Sequence, residues 1–349
     1  MTAPPPAKRP PERPIEALAL ARELEANGRF ADAIELLTET NQRRRNAKVE
    51  RELVLLRHRA FAAVPRRPGH DRWPPEVDDM FGPDVIVPEV LGSELTASHV
   101  RSALVNHGFL VVRDLVPPAR VDQLKDDIDH ALVAAKAHVD GASTADTAPW
   151  WVPFKPTEGY SVGGGRQWIW EQGSVWAVDS PRSLFDLVET FREIGLDGTI
   201  ASYLGETPAL SVKKCTLRRV PADTGTNWHQ DGAFLGQGIR TLNVWIALSA
   251  CGDDSPSLDI VPKRMEGIVQ TGTDGALFDW SVGEGAVERV RGDLSIVRPR
   301  FEAGDAMLFD ELFLHRTGVS EGMDRDRYTI ESWFFAPSSY PDEQIPVVF

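Results

Sequence analysis

The stretch Trp228-His229-Gln230-Asp231-Gly232 places an imidazole and a carboxylate two residues apart. On a β-strand, residues i and i+2 point to the same face, so His229 and Asp231 could reach one metal ion. A second histidine, His315, follows much later in the run 312–318. Two histidines and one carboxylate form a facial triad, which leaves coordination positions open and favours non-haem Fe(II). The pattern therefore requires a fold that brings two distant strands together around one ion.

An arginine that follows His315 extends the pattern. Arg327 opens the alternating run 327–333, where it shares one face of the strand with Thr329 and Glu331. A planar guanidinium binds a carboxylate through two parallel hydrogen bonds, and Thr329 adds a hydroxyl donor. The competing Arg325 lies in the polar run 322–326, which is typical of a loop. We therefore predict that Arg327 and Thr329 bind a carboxylate-bearing co-substrate.

Further motifs surround these residues. The runs 241–248 and 256–262 lie between Asp231 and His315, and the run 107–113 precedes a predicted helix. This order resembles the phytanoyl-CoA dioxygenase family of Fe(II)/2-oxoglutarate oxygenases, over residues 94–337. The segment Pro262-Lys263-Arg264 departs from the Pro-Gly-Ser-His that the family usually carries there.

The resemblance has consequences for fold and chemistry. It implies an α+β fold with a mainly β core, a double-stranded β-helix of the jelly-roll or cupin type with flanking helices. It also implies that His229, Asp231 and His315 bind Fe(II), and that 2-oxoglutarate chelates the iron and pairs with Arg327. O2 takes the last position, and ascorbate could keep the iron reduced. The implied reaction hydroxylates an unactivated C–H bond of a small organic molecule and releases succinate and CO2. Because related halogenases lack the carboxylate that matches Asp231, hydroxylation or desaturation is favoured over halogenation.

Two alternatives remain open at this point. The chain could be a cupin-type iron protein that does not use 2-oxoglutarate, or a non-catalytic scaffold whose helical N-terminus recruits a partner. The presence of Arg327 argues against the first alternative, and the complete triad argues against the second.

Other side chains are weaker candidates for the site. Alternation puts Lys214, Thr216 and Arg218 on one face of a strand, where they either bind 2-oxoglutarate or an acidic substrate, or point to solvent. Trp245 either lines the pocket or belongs to the core. The segment 141–180 is rich in tryptophan and glycine, including Trp168 and Trp170. Such a composition suits a substrate loop over the metal as well as ordinary packing.

Composition limits the location and partners of the protein. The net charge is −14 and no long basic block is present, so we expect no binding to nucleic acid. No run of about 18 apolar residues exists, so no membrane span is expected. Two cysteines fit a reduced, cytoplasmic location better than a disulfide framework. The expected partner is a small-molecule substrate.

The chain divides into four predicted parts. Residues 1–14 are predicted to be disordered, and residues 15–62 to form a tetratricopeptide-like helical hairpin. The hairpin either packs on the main domain or on a second subunit in a homodimer, or it binds another partner. A Pro-rich linker over 63–93 leads to an oxygenase domain over 94–349 with the aromatic insert 141–180. That domain is predicted to hold one helix over 181–204 and strands at 209–220, 239–249, 256–261, 294–300, 306–310, 312–316 and 327–335.

Overall fold

A computed structural model describes residues 13–67 and 73–349. The predicted disorder of residues 1–14 lies almost wholly outside these ranges. Three helices open the described chain: α1 (Pro14–Ala26), α2 (Phe30–Arg43) and α3 (Ala47–Ala60), the last followed by a 3-10 turn (Phe61–Ala63). Gly28 turns the chain between α1 and α2 with a φ of 73°, a conformation that glycine adopts without strain. Residues 15–62, predicted to form a two-helix hairpin, thus hold a third helix, which Asn46 caps by accepting hydrogen bonds from the backbone N–H groups of Lys48 and Val49.

The N-terminal helices pack on the rest of the chain. Their apolar residues, among them Ala21, Leu37 and Leu53, share one buried cluster with Phe185 and Val348. Charged contacts lie beside this cluster. Arg45 Nη1 donates to Asp186 Oδ2 at 2.9 Å, and Arg182 Nε donates to Glu50 Oε1 at 3.0 Å. The helices are therefore docked on the main body of the protein.

An eight-stranded mixed sheet, here called the major sheet, forms the centre of the molecule. Its order is β1-β2-β7-β5-β9-β4-β10, and β3 also pairs with β4. The strands are β1 (Glu89–Leu91), β2 (Phe109–Arg113), β3 (Ser174–Trp176), β4 (Ala209–Val220), β5 (Thr241–Ala247), β7 (Ala306–Phe309), β9 (Arg327–Phe335) and β10 (Pro346–Val348). Only the β1–β2 pair is parallel among these described pairings.

A second, smaller sheet faces the major one. It consists of β6 (Ser257–Ile260) and β8 (His315–Gly318), in antiparallel pairing. Single bridges extend it, from His229 to His315 and from Val297 to Ile260. Apolar side chains from both sheets meet between them in one cluster, which includes Trp245, Leu258, Phe301, Phe313 and Trp333.

Helices cover the opposite face of the major sheet. That face packs its alternate residues into the largest apolar cluster, with contributions from α4 (Ala97–Asn106), α5 (Pro118–Val139), α8 (Pro181–Glu193) and α9 (Leu196–Leu204). Shorter helices complete the chain: α6 (Thr144–Thr147), α7 (Gly165–Glu171), α10 (Gly232–Leu235) and α11 (Glu284–Arg291). The result is a mainly β core with flanking helices, as the sequence predicted, with an open major sheet rather than a closed barrel.

Some predicted elements differ from the structure. Residues 181–204 form two helices because Gly195 adopts a φ of 70° between α8 and α9. The strand predicted at 294–300 is reduced to the single bridge of Val297. The strand predicted at 312–316 begins only at His315, since Asp310 and the following residues form a turn. In the described part of the chain, no helix combines the length and apolarity that a membrane crossing needs.

Candidate metal centre

Three side chains converge where the small sheet is extended by residue 229. His229 and His315 exchange backbone hydrogen bonds of 2.9 and 3.1 Å, and Asp231 directly precedes α10. One ligand atom from each of His229, Asp231 and His315 lies within 4.8 Å of the other two. Asp231 Oδ2 and His315 Nε2 are 4.0 Å apart. The chain thus brings together the three residues that the sequence proposed as ligands, and their distances suit one shared ion.

Backbone carbonyls fix the orientation of both imidazoles. His229 Nδ1 lies 2.8 Å from the carbonyl oxygen of Asn227, and His315 Nδ1 lies 3.1 Å from that of Phe313. A carbonyl can only accept, so each Nδ1 carries the proton and each Nε2 keeps its lone pair for a metal. Burial, and then the neighbouring His229, lower the pKa of His315 to about 3. The neutral form that a metal requires is therefore the stable one.

The carboxylate of Asp231 is buried beside a lysine. Lys214 Nζ donates to Asp231 Oδ1 at 2.6 Å. Burial by itself would raise the pKa of Asp231, but the neighbouring Lys214 ammonium opposes it, and the pKa of Asp231 is lowered. Lys214, which the sequence suggested as a co-substrate contact, here contacts a proposed metal ligand. The charged form of Asp231, which a cation needs, is favoured.

Gln230, between two of the proposed ligands, points away from them. Its side-chain Nε2 donates to the carbonyls of Gly267 (3.1 Å) and Leu312 (2.6 Å). Its Oε1 accepts from Val269 N at 2.6 Å. The residue therefore connects the segment that carries His229 and Asp231 to the loop 265–283 and to the turn before His315.

Two carboxylates just before His315 have other partners. Asp310 accepts hydrogen bonds from the Arg264 guanidinium and from the backbone N–H of Leu312. Glu311 Oε1 accepts from Gly238 N at 3.0 Å, and burial followed by Asp310 raises the pKa of Glu311 to about 8. Both carboxylates therefore hold the turn before His315 and the neighbouring loop, rather than joining the triad. Arg264, in the segment that departs from the family pattern, neutralises Asp310.

The face of the major sheet that looks toward the small sheet carries a buried arginine. Arg327 is fully buried, and its Nη1 donates to the carbonyl of Ser257 at 3.2 Å. Its Nε and Nη2 have no hydrogen-bond partner among the described residues. Burial, and then Arg218, lower the pKa of Arg327 to about 10. The ring centre of Trp245 lies 5.4 Å from the guanidinium carbon, so Trp245 packs beneath this cation.

Hydroxyl groups near Arg327 are also unpaired. Thr329 and Thr216 are buried, and neither Oγ1 meets a partner within the described ranges. Thr329 lies on β9 and Thr216 lies on β4, and these two strands pair directly. Buried polar atoms without partners are rare and each costs about 1–3 kcal/mol, so a cluster of them fits a polar ligand. An anion that accepts from Arg327 and Thr329 would satisfy these donors.

Arg325, the competing candidate, differs from Arg327 in exposure and in its partner. Arg325 is exposed, and its Nη1 lies 3.0 Å from Asp254 Oδ2. It belongs to the turn before β9, as the polar run predicted. Only Arg327 of these two has donors that face the interior.

The aromatic side chains of the segment 141–180 largely pack in the hydrophobic core. Trp151, Phe154 and Trp176 are buried in the cluster under the helices, and Arg166 lies over the Trp176 ring at 5.2 Å. Trp170 is half-buried against the same cluster, whereas Trp168 is 56% exposed on α7. A substrate role for Trp168 and Trp170 stays a prediction.

Other aromatic residues, which sequence reasoning missed, lie beside the triad. The Trp280 ring meets that of His229 edge-on, with 6.0 Å between centroids. Phe234 on α10 lies 6.2 Å from Trp280, and Phe278 stacks on Trp280 at 5.2 Å. The available signal was weak: Phe234 follows Asp231 by three residues, but nothing periodic in the loop 265–283 points to His229.

A comparison with family models now adds to this geometry. The model described as phytanoyl-CoA dioxygenase matches residues 177–325. Over this stretch, which is less than half of the chain, the sequence is similar to that family. The predicted resemblance is thereby confirmed, and it supports an oxygenase. The matched range contains His229, Asp231 and His315 but ends before Arg327, so the case for Arg327 rests on the structure.

Two solved structures align with most of this chain. EctD from S. alaskensis, solved with 2-oxoglutarate and 5-hydroxyectoine, aligns with a TM-score of 0.50 and 18% identity, over 79% of this chain and 87% of its own. The non-heme alpha ketoglutarate dependent carbocyclase SnoK from nogalamycin biosynthesis aligns with a TM-score of 0.47 and 14% identity, over 71% and 87%. The EctD alignment supports the predicted fold. A comparison with curated proteins finds no significant match.

Proposed function

We propose that this protein is an Fe(II)/2-oxoglutarate-dependent oxygenase that hydroxylates an unactivated C–H bond of a small organic molecule. The products of the co-substrate would be succinate and CO2. The observation that carries the proposal is that a convergent His-Asp-His group and a buried, incompletely paired arginine adjoin the same apolar cluster between the sheets, His315 through Phe309 and Arg327 through Trp245. A closed four-ligand zinc site would not need such a cation nearby.

The protein's own groups account for metal binding. Nε2 of His229, Nε2 of His315 and the carboxylate of Asp231 would hold the ion. Lys214 is a positioning residue: by donating to Oδ1 of Asp231 it leaves Oδ2, the oxygen near His315, for the metal. When bound, iron with 2-oxoglutarate supplies the oxidising power for attack on a C–H bond.

Arg327 and its neighbours account for co-substrate binding. A carboxylate of 2-oxoglutarate would accept hydrogen bonds from the free Nη2 and Nε of Arg327, and from the Thr329 hydroxyl. EctD, which shares the fold, was solved with 2-oxoglutarate. In a buried setting such charge-assisted pairs are strong, because little water competes for either partner.

The surroundings of His315 keep water out. The rings of Phe309 and Phe313 lie 4.9 and 5.5 Å from the His315 ring. Both phenylalanines are buried in the cluster between the sheets. Exclusion of water from this side protects a reactive centre from side reactions.

The proposal is tested by metal binding and by succinate release. We expect the wild-type protein with Fe(II), 2-oxoglutarate, O2 and ascorbate to form succinate. His229→Ala and His315→Ala should each lower succinate formation by more than about a hundredfold, since even the loss of an outer partner of a ligand costs 10–100-fold. Anaerobic calorimetry should show loss of Fe(II) binding in both variants.

The matched control is His130→Ala. His130 stacks on Trp150 at 4.5 Å on helix α5, and the change should leave iron binding and turnover unaltered. Full iron binding by the His315 variant would contradict the assigned ligands. Oxygen uptake by the wild type without any requirement for 2-oxoglutarate would instead support the cupin-type alternative.

A further inference from the structure

Beside the triad, three aromatic side chains form a surface that we call the aromatic wall: Phe234, Phe278 and Trp280. We propose that this wall is the substrate-binding surface and that it receives an uncharged, planar ring system. The inference rests on the proposed function, for which it names the substrate class.

The aromatic wall contacts His229 directly and approaches Asp231 through Lys214. Trp280 contacts the His229 ring, and Phe234 contacts Trp280. On the far side, Lys214 Nζ lies 4.3 Å from the centre of the Phe234 ring and also donates to Asp231. A molecule that lies on this wall is therefore adjacent to two of the proposed ligands, as a substrate of a metal-centred oxidation must be.

Exposure distinguishes the wall from the cores of the protein. Phe234 is 40% and Phe278 52% exposed, and the neighbouring Leu277 is also exposed. The local apolar cluster is formed by other residues, Trp228, Val282 and Leu314 among them. Contiguous exposed aromatic surface is uncommon on soluble proteins and marks binding sites.

The loop that carries the wall is held in place. Gln230 binds its start through Gly267 and Val269. At its other end, Val282 N donates to the carbonyl of Trp228 at 2.8 Å. Trp280 thus lies between two attachments, both made by residues of the ligand motif. A surface fixed in this way needs little ordering on binding, which favours affinity.

The geometry of the rings indicates the class of ligand. Phe278 and Trp280 are parallel, with 2° between their planes, so they present flat faces and edges rather than a round cavity. Planar rings pack on such surfaces in offset or edge-to-face arrangements. Lys214, whose ammonium lies over the Phe234 ring, is already paired with Asp231, so it does not require a charged substrate.

The test uses 2-naphthol, an uncharged planar probe, with the full chain loaded anaerobically with Mn(II) and 2-oxoglutarate. Proton relaxation of the probe reports both binding and closeness to the paramagnetic ion. We expect binding to the wild type, weakening by about tenfold or more in Trp280→Ala, as for a central aromatic contact, and a smaller loss in Trp280→Phe. Cyclohexanol, which is uncharged but not planar, should bind more weakly than 2-naphthol.

Controls separate this inference from folding and from the proposed function. Met80→Ala, which removes a large exposed apolar side chain elsewhere, should leave 2-naphthol binding unchanged. Phe234→Ala provides a second variant of the wall if Trp280→Ala does not fold. Equal 2-naphthol affinity in the wild type and in a folded wall variant would overturn the inference. So would a wild-type dimer that dissociates in Trp280→Ala, because the wall would then be a subunit interface. If Mn(II) fails to bind but Trp280→Ala still reduces the line broadening of 2-naphthol by the metal-free protein, the proposed function fails while the wall stands as a ring-binding surface.

Discussion

The two faces of the major sheet are built from the same strands and both carry apolar side chains, but they differ at the start of β9. On β9, Ile330 and Phe334 point into the large apolar cluster under the helices, and the buried Ser332 between them contacts Cys215. Their neighbours Arg327 and Thr329 point to the other side and leave polar atoms without partners among the described residues. One face therefore holds the fold together, and the other gives up some stability to receive a ligand. Successive side chains of a strand point to opposite faces, so alternate residues of β9 serve packing and ligand binding.

The sharpest test of this difference compares Arg327→Leu with Arg325→Leu. Loss of a buried guanidinium–carboxylate pair costs about 2–5 kcal/mol, so Arg327→Leu should weaken 2-oxoglutarate binding well over tenfold while iron still binds. Without ligand the same variant should be no less stable than the wild type, because an incompletely paired buried charge is removed. Calorimetry and urea unfolding provide the two measurements. Arg325→Leu should change neither quantity much, and the reverse order would show that the strand assignment is wrong.

The opposite result is expected for the helix-covered face. Ile330→Ala removes buried methyl groups and should lower the free energy of unfolding by about 2–5 kcal/mol. The 2-oxoglutarate affinity of the folded variant should stay at the wild-type value, because Ile330 points away from the ligand. Urea unfolding and calorimetry again suffice. A large loss of affinity at unchanged stability would refute the division between the faces.

A smaller effect is expected for single hydroxyl groups. Thr329→Val removes an unpaired Oγ1 and should weaken 2-oxoglutarate binding by about 1.5–3 kcal/mol, the worth of one hydrogen bond to a charged group, with little loss of stability. Thr241→Val is the matched control, since the Thr241 hydroxyl already donates to the carbonyl of Phe334 at 2.8 Å. That change should reduce stability and leave binding unaltered. Equal effects of the two changes on binding would mean that Thr329 does not touch the co-substrate.

Alternation explains how much of the site was predictable. It correctly grouped Arg327 with Thr329, and Thr216 with Arg218, because side chains two residues apart on a strand share a face. It could not predict the register between the strands, which pairs Thr216 with Glu331 and brings Arg218 to within 3.4 Å of the Glu331 carboxylate. Register depends on contacts across the sheet, which no local pattern encodes.

Contacts that depend on loops could not be predicted either. The approach of Lys214 to Asp231 and of Trp280 to His229 follows from the path of segments without any period. Composition also failed to separate two aromatic regions. Tryptophans of the segment 141–180 are largely packing residues. Composition could not show this, because buried rings and substrate-binding rings are the same residue types.

The docking of the N-terminal helices limits how this protein can vary. Glu50 on α3 is fully buried and receives hydrogen bonds from Asn41 and from Arg182 of helix α8. Phe185 and Val348, outside those helices, are buried in the same cluster as α1, α2 and α3. A shorter protein with this β core would need polar residues at those two positions and a new partner for Arg182. The helices and the surface beneath them are therefore expected to change together over evolution, as the two sides of a permanent interface do.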